Sequence, residues 1–448
     1  MNELIMKVLF AIIIAVGVFT AFPVFAGTVD LTTAYQKAVE YDARLRSAKA
    51  DNQMYKEEIG KAKSQFLPSV RMSAARGRSA TQRGYLGRFY PADFYNTVNL
   101  GVSVRQSLLN LSNVAGYKQS RLVAAKSDAD FQKEQTTLMV RITEAYCNAL
   151  FAEDNLDFSN ALISATQEQL MQAKRRFETG FGTVTEVQEA QAGYDNAQAE
   201  GVEILNSVEY SRRELEDLTG LYPEKLCKLV PQKLRLVKPE PDLVESWIEL
   251  SVAGNSGLVA ARQEVEIAKR EIQKQRAAGY PTIDLVGGRN YSESENNYSI
   301  GSIYDTYSIS VQLSVPVYTG GYVSSSIRQA QAKWLKAGAQ LSWQERGVES
   351  DVRKYYNGVV SNISLIMAYE QAVNSREIAL VGTRKGYEAG IRSNVDVLDA
   401  QQKLFAARRN LAKSRYQYIL NRFMLKQAAG TLSEADIEEI NNCLLGSK

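Results

Sequence analysis

Hydrophobic and polar residues alternate with a period of two in four stretches of the chain. The stretches form two pairs, at about 68–109 and about 281–318, and the alternation is clearest over residues 98–105 and 307–315. A period of two places successive side chains on opposite faces of a β-strand, so each stretch is predicted to be a strand with one apolar and one polar face. This pattern is typical of the wall of a membrane β-barrel, and a soluble hairpin with one buried face fits it equally.

Good helix formers dominate the sequence outside these strands. Residues 31–65 are rich in Ala, Lys, Gln and Glu and are predicted to be helical, and residues 112–178 contain no proline and only Gly116. The second stretch is predicted to form one continuous helix, which would be roughly 100 Å long at 1.5 Å per residue. A single globular domain has no core of that length, so this helix favours a coiled, tube-like assembly.

The long helical stretches end at glycines, and each is followed by a signal for a new helix. Gly180 and Gly390 lie where a left-handed cap would end a helix. Residues 183–186 and 393–396 then show the order of a capping box, which starts the next helix. Each half of the chain is therefore predicted to form a helical hairpin with its tip far from the strands.

The two halves of the chain are similar to each other at a displacement of about 210 residues. Residues 177–180 align with 387–390, and the same order of matches continues downstream. Such similarity indicates one structural unit that is used twice. We therefore divide the chain into a signal segment, a first repeat with its tip near 180–185, an equatorial linker, a second repeat with its tip near 390–395 and a tail: residues 1–26, 27–222, 223–241, 242–432 and 433–448.

The amino-terminal segment has the features of a secretory signal. Lys7 precedes an apolar run over residues 8–22, and cleavage is predicted after Ala26. An uncleaved anchor is the alternative, although the run is shorter than the ~20 residues of a spanning helix. No other stretch is apolar enough to cross a membrane as a helix, so strands would have to do so. Because a closed barrel needs about eight strands, several chains would have to build one barrel.

Composition and charge exclude several classes of function. The net charge of +3 is the small difference between 53 basic and 50 acidic residues, which argues against nucleic-acid binding. The absence of histidine removes Ser-His-Asp triads and histidine-containing zinc sites, and no phosphate-binding glycine loop is present. We therefore expect no enzyme, cofactor or metal site. Of the three cysteines, Cys227 and Cys443 could pair in an oxidising compartment, or all three could be free thiols.

Five segments of the sequence carry motifs that recur in order along the chain, namely residues 175–180, 185–190, 315–321, 387–400 and 426–432. Together they resemble the TolC family of outer-membrane efflux proteins. The resemblance implies a homotrimer in which four strands per chain complete one twelve-stranded barrel, joined to an α-helical tunnel that crosses the periplasm. It also implies partners, namely a periplasmic adaptor and an inner-membrane transporter, and a role in efflux or type I secretion. A periplasmic coiled-coil adaptor is the alternative function.

The resemblance also implies a gated entrance at the helical tips. Asp396 and Asp399 would form an acidic ring there, and a ring of carboxylates favours cations. Asp396 has an equally good alternative role, because the last acid of a capping box occurs at any helix start. The residues implied in the contacts that close the tip are Thr185, Glu186, Tyr387 and Arg392.

Overall fold

The computed structural model describes residues 28–296 and 301–444, so the predicted signal segment 1–26 lies outside the described residues. The same order of elements occurs twice: two helices, a strand pair, a very long helix and a shorter one. In chain order the elements are α1 Leu31–Tyr41, α2 Ala43–Ser64, β1 Ser69–Thr81, β2 Gly84–Tyr85, β3 Arg88–Phe89, β4 Asp93–Leu109, α3 Leu111–Glu178, α4 Val184–Thr219, α5 Val244–Gly254, α6 Ser256–Ala277, β5 Thr282–Ser294, β6 Ser302–Ser314, α7 Tyr322–Glu388, α8 Asn394–Ala429 and α9 Glu434–Asn441.

The first helical stretch is divided in two, so the prediction of one helix over residues 31–65 is wrong. Asp42 has ψ 120° and ends α1, and its carboxylate accepts the backbone N–H of Leu45 at 2.7 Å and so starts α2. Asn255 divides α5 from α6 in the same way and accepts from Leu258 at 3.1 Å. Both side chains belong to the short polar class that offers the backbone an alternative to helix hydrogen bonds, and this local competition overrides helix propensity.

Four strands form one antiparallel sheet in the order β1-β4-β5-β6, while β2 and β3 form a separate two-stranded hairpin. Met72 is opposite Val102, and Val102 is opposite Arg289 on β5. One face of the sheet carries exposed apolar side chains, including Val70, Met72, Ile309 and Val311. The opposite face carries mostly serine, threonine, glycine and asparagine. Both edge strands, β1 and β6, have one unpaired side within the described part of the chain.

Two helices dominate the length of the molecule. Helix α3 has 68 residues and α7 has 67, so each is roughly 100 Å long. Helix α3 packs along α4, α2 and α6, and α7 packs along α8 and α6. The predicted continuous helix over residues 112–178 is confirmed, because α3 spans that whole stretch. Of the helices that the structure describes, none combines the length and the hydropathy that a membrane span requires.

The main hydrophobic core lies midway along the helices, where the amino-terminal segment, the linker and the carboxy-terminal tail meet. The hydroxyl of fully buried Tyr146 donates to the carbonyls of Val29 and Cys227, at 3.0 and 3.1 Å. Tyr418 on α8 makes a similar contact, since its hydroxyl accepts the N–H of Val237 at 3.0 Å. These buried hydroxyls are therefore satisfied by the linker backbone, which they hold against the helices.

All three cysteines are free thiols in the structure, so Cys227 and Cys443 are not bridged. Cys147 and Cys227 are buried, and burial raises the pKa of the Cys147 thiol to about 12. A thiol with such a pKa is protonated at neutral pH and unreactive, so Cys147 packs as a small apolar residue.

Candidate functional site

The two helical hairpins reverse at the same end of the molecule through left-handed glycines. Helix α3 ends before Gly180, which has φ 77°, and α7 ends before Gly390, which has φ 73°. At each reversal the backbone N–H three residues past the helix donates back into the last turn, as in the 2.8 Å bond from Ile391 to Gly386 O. These caps confirm the predicted reversals near residues 180 and 390 and place the predicted site residues together at the tip.

Both predicted capping boxes are present. In the first, Thr183 Oγ1 accepts the N–H of Glu186 at 3.2 Å, and the Glu186 carboxylate accepts the N–H of Thr183 at 3.3 Å. In the second, the backbone N–H and the hydroxyl of Ser393 both donate to Asp396 at 2.9 Å. These bonds lower the pKa of Asp396, the backbone donor contributing most. Asp396 is therefore ionised and oriented by the helix start.

The two predicted ring acids differ in their surroundings. Asp399 takes no part in capping, and its exposed carboxylate forms an ion pair with Lys403, one helical turn later, at 2.5 Å. Since both side chains are about half exposed, solvent weakens this pair. Lys403 nevertheless places a positive charge beside the predicted ring, which the sequence argument did not include.

Tyr387 is the most buried of the predicted closing residues, with 6% of its surface exposed. The guanidinium of Arg176 lies over its ring at 4.9 Å from the centroid, so α7 and α3 meet through a cation–π contact. The Tyr387 hydroxyl is buried without a hydrogen-bond partner among the described residues. Burial raises the pKa of this hydroxyl, Arg176 opposes the increase and Glu186 adds to it. Tyr387 is therefore neutral at physiological pH.

A buried polar contact joins the two hairpins next to Tyr387. Asn394 is fully buried at the start of α8, and the Gln169 side chain on α3 donates to its backbone and side-chain oxygens. Asn394 in turn donates to the carbonyl of Glu186 at 3.3 Å. Sequence reasoning missed Arg176, Gln169 and Asn394 as contact residues. Only the positions of Arg176 and Asn394 could have indicated their role, because both residues lie inside the segments that carry the family resemblance.

Thr185 and Arg392 are exposed at the tip, and neither side chain has a hydrogen bond or an ion pair to the described part of the chain. Arg392 lies against Gly386, where an added Cβ would be 2.8 Å from Arg392 Cγ. Glycine at this position thus allows the arginine stem to lie across the end of α7. The structure therefore brings Glu186 and Tyr387 together within one chain, whereas Thr185 and Arg392 point outwards.

Comparison with known proteins identifies relatives over nearly the whole chain. The profile of the outer membrane efflux protein family matches residues 34–221 and 247–431. The chain is 33% identical over 415 residues to outer membrane protein TolC of Vibrio cholerae, covering 92% of this chain and 93% of that protein. It is also 33% identical over 420 residues to the alkaline protease secretion protein AprF of Pseudomonas aeruginosa, covering 92% and 87%.

Solved structures of outer-membrane channels have the same fold. The likeness to CusC has a TM-score of 0.77 at 18% identity, over 90% of this chain and 92% of CusC. The likeness to VceC of Vibrio cholerae has a TM-score of 0.75 at 19% identity, over 89% and 96%. The predicted fold class, mostly helical with a β portion, is confirmed, and the relatives are channel proteins rather than enzymes. The chain therefore belongs to the outer membrane efflux protein family.

Proposed function

We propose that three copies of this chain form a gated channel-tunnel of the outer membrane, which conducts small molecules or polypeptides from a transporter to the exterior. The observation that carries the proposal is the four-stranded sheet with one apolar and one small, polar face, attached to helices roughly 100 Å long. The apolar face suits contact with outer-membrane lipid. The polar face suits a water-filled lumen, and the helices suit a tunnel across the periplasm.

The unpaired edges of the sheet support the trimer. Within the described residues, β1 and β6 each have one side without a partner strand, and lipid does not tolerate unpaired backbone groups. Because β1 and β6 run antiparallel, β1 of one copy can continue the sheet beside β6 of the next. Three copies would supply twelve strands, an even number within the range of outer-membrane barrels. On this proposal the chain consists of two repeats, 27–222 and 242–432, each supplying one strand pair.

The proposed partners follow from the relatives. AprF and the proteases secretion protein PrtF of Dickeya chrysanthemi, which is 32% identical over 421 residues, are named for protein secretion. A conduit that crosses only the outer membrane and periplasm needs an inner-membrane transporter to load it. A periplasmic adaptor would join the two near the helical tips. The relatives do not favour the alternative function, an adaptor, because they are outer-membrane proteins.

The proposed gate lies at the helical tips. Asp396 and Asp399 of three copies would form a ring of carboxylates that attracts cations to the entrance. Tyr387 with Arg176, and Asn394 with Gln169, would hold the second hairpin against the first and keep the tip closed. Glu186 belongs to this contact through its backbone carbonyl. Thr185 and Arg392 are exposed and would contact the neighbouring copy.

Membrane fractionation and planar bilayer recording test this function. We expect the protein in the outer membrane, as an oligomer that dissociates only when its detergent solution is heated. We also expect discrete single-channel currents from the purified oligomer in a planar lipid bilayer. Recovery as a soluble periplasmic protein without channel activity would contradict the channel and favour the adaptor. Dimers or tetramers in cross-linking experiments would contradict the trimer alone.

A further inference from the structure

The lumen-facing side of the sheet carries a positive charge that the proposed gate does not use. Arg71 lies on β1, on the same face as Ser69 and Ser73 and opposite to the apolar Val70 and Met72. Its side chain is exposed and has no hydrogen bond or ion pair to the residues that the structure describes. An exposed guanidinium without a counter-charge in its own chain is free to act on a passing solute.

A second arginine lies beside it on the adjacent strand. Arg71 is opposite Ser103 on β4, and Arg105 is two residues further along the same face, so the two arginines are diagonal neighbours at roughly 7–8 Å. Arg105 forms an ion pair with Asp284 on β5 at 2.6 Å, and Asp284 is 8% exposed. This ion pair orients Arg105 and neutralises its charge. Arg71, Arg105 and Asp284 together therefore carry one net positive charge, that of Arg71.

The rest of the polar face is nearly uncharged, so little other charge on that face offsets the positive charge of Arg71. Across β1, β4, β5 and β6 the described residues of this face include only one other charged side chain, Asp93, which is at the far end and is paired with Arg83 at 2.7 Å. Beside Arg71, the same row across the sheet contains Ser103, Gly288 and Ser308. Arg71 begins the strand that follows α2, so its charge lies where the sheet joins the helices.

We propose that Arg71, with Arg105 beside it, forms a basic ring in the lumen at the junction of sheet and helices, and that this ring favours anions and binds multivalent anionic solutes. The inference rests on the proposed channel function and its trimer, which would bring three copies of Arg71 to one level of the lumen. Rings of arginine or lysine give pores a preference for anions and phosphates. The channel would then have two charged rings of opposite sign, an acidic ring at the entrance and a basic ring at the junction of sheet and helices.

The two repeats differ at this level, which explains why the charge is not cancelled within the chain. The segment 67–70 aligns with 280–283, so Asp284 is the second-repeat counterpart of Arg71. The acid at the second position is engaged by Arg105 rather than by Arg71. One net positive charge per chain remains, always contributed by the first repeat.

Planar bilayer recording of Arg71→Ser tests the ring, with Arg76→Ser as the matched control. Both variants remove one exposed arginine from β1, but Arg76 lies on the apolar face, so only Arg71→Ser removes charge from the lumen. In a KCl gradient we expect Arg71→Ser to lower the ratio of anion to cation permeability roughly threefold, and Arg71→Glu to lower it further. The effect should shrink between 0.1 M and 1 M KCl, because the Debye length falls from about 10 Å to about 3 Å.

Block by inorganic pyrophosphate gives a second measurement on the same bilayers. We expect pyrophosphate to reduce the wild-type and Arg76→Ser currents and to lose most of this effect on Arg71→Ser. Equal permeability ratios and equal block in the two serine variants would overturn the basic ring while leaving the channel intact. A wild-type protein that does not conduct would overturn the channel and the ring together. The heat-dissociated oligomer band confirms that each variant has assembled before it is recorded.

Discussion

In the proposed gate, single residues at the tip divide into those that would carry charge for the entrance and those that hold the helices together. Asp396 does both, because it closes a capping box and carries an ionised carboxylate. Asp399 carries charge without any capping bond, and Lys403 reduces the field of that charge. These two acids therefore require different substitutions to test one function, since removal of Asp396 also disturbs the start of α8.

We expect Asp399→Asn to weaken the block of single-channel current by multivalent cations, without a change in thermal unfolding. Lys403→Gln should strengthen the same block, because it removes the positive charge 2.5 Å from the carboxylate. Block of the current by a trivalent cation in planar bilayers measures both effects. If Asp399→Asn and Lys403→Gln change the block in the same direction, or not at all, Asp399 does not belong to an entrance ring.

Sequence reasoning placed these charges at the tip but not their partners. Asp396 and Asp399 were implied by the family resemblance, and helix periodicity adds that residues three apart lie on one face of a helix. The contacts of Gln169 with Asn394 and of Arg176 with Tyr387 could not be predicted, since each joins residues more than 200 positions apart. Their distances depend on how α3 packs against α7 and α8, which local pattern does not determine.

Among whole elements, the helix breaks are the clearest departure from the sequence prediction. Residues 31–65 are mostly good helix formers, yet Asp42 ends α1 and starts α2. Asp42 is 5% exposed, and Arg141 on α3 donates to it at 3.1 and 3.2 Å. The break is thus fixed by a tertiary ion pair in addition to the cap. Propensity alone could not reveal a partner that lies 99 residues away.

We expect Asp42→Ala to destabilise the α1–α2 region by roughly 2 kcal/mol, because it removes the cap of α2 and leaves the partly buried Arg141 with only Glu134, at 3.1 Å, as its counter-ion. Burial acts to raise the pKa of Asp42, but the bonds from Arg141 and from the Leu45 N–H outweigh it and lower the pKa. A lowered folded pKa gives stability that is present above the unfolded pKa and is lost as pH falls through the folded value. The difference between wild type and Asp42→Ala should therefore shrink in acid.

Amide hydrogen exchange at the Arg46 N–H, which donates to the backbone carbonyl of Asp42 at 3.1 Å and keeps this bond in the variant, measures the local opening at neutral and acidic pH. Asn255→Ala is the matched control, because Asn255 caps α6 without an ion pair and its loss should cost about 1 kcal/mol in its own region. A cost for Asp42→Ala no larger than for Asn255→Ala would show that the ion pair with Arg141 adds nothing to the cap.

The two faces of the sheet can be tested with adjacent residues of one strand. Val102 lies on the apolar face of β4 and Ser103 on the polar face. Val102 lies near the junction with the helices and beside Arg289, where a charge on the lipid-facing side costs less than at the midplane. We expect Val102→Arg to cost about 1 kcal/mol there and to lower the amount of assembled oligomer in the outer membrane. Ser103→Arg should assemble and conduct. The amount of oligomer in the outer-membrane fraction measures this, and equal assembly of the two variants would contradict the assigned orientation.

For the whole molecule, the sequence predicted the helices and strands better than it predicted their arrangement. The four strands and the continuous helix over residues 112–178 follow from periodicity and from the absence of breakers. The meeting of the two hairpins at one tip follows from the repeat only if the copies pack side by side. That packing depends on the shared core around Tyr146 and Tyr418, whose partners are the backbone carbonyls of Val29 and of the linker.

In the proposed gate, the closed state of the assembly would depend on Tyr387, whose ring and hydroxyl should act in opposite directions. The ring packs under Arg176, whereas the buried hydroxyl has no partner among the described residues and so costs about 1–3 kcal/mol in the closed tip. Opening would expose this hydroxyl to water and remove that cost. We therefore expect Tyr387→Ala to raise the resting conductance and Tyr387→Phe to keep the channel closed at least as firmly as wild type.

Single-channel recording of the resting channel separates the two variants. The control is Tyr194→Phe, which removes the hydroxyl of a partly exposed tyrosine on α4. A raised conductance in Tyr387→Phe would mean that the hydroxyl holds the tip closed through a bond formed only in the assembly. An unchanged conductance in Tyr387→Ala would show that Tyr387 does not hold the tip closed. Because the pKa of Tyr387 is raised by burial, neither result should change between pH 6 and 8 through ionisation of this side chain.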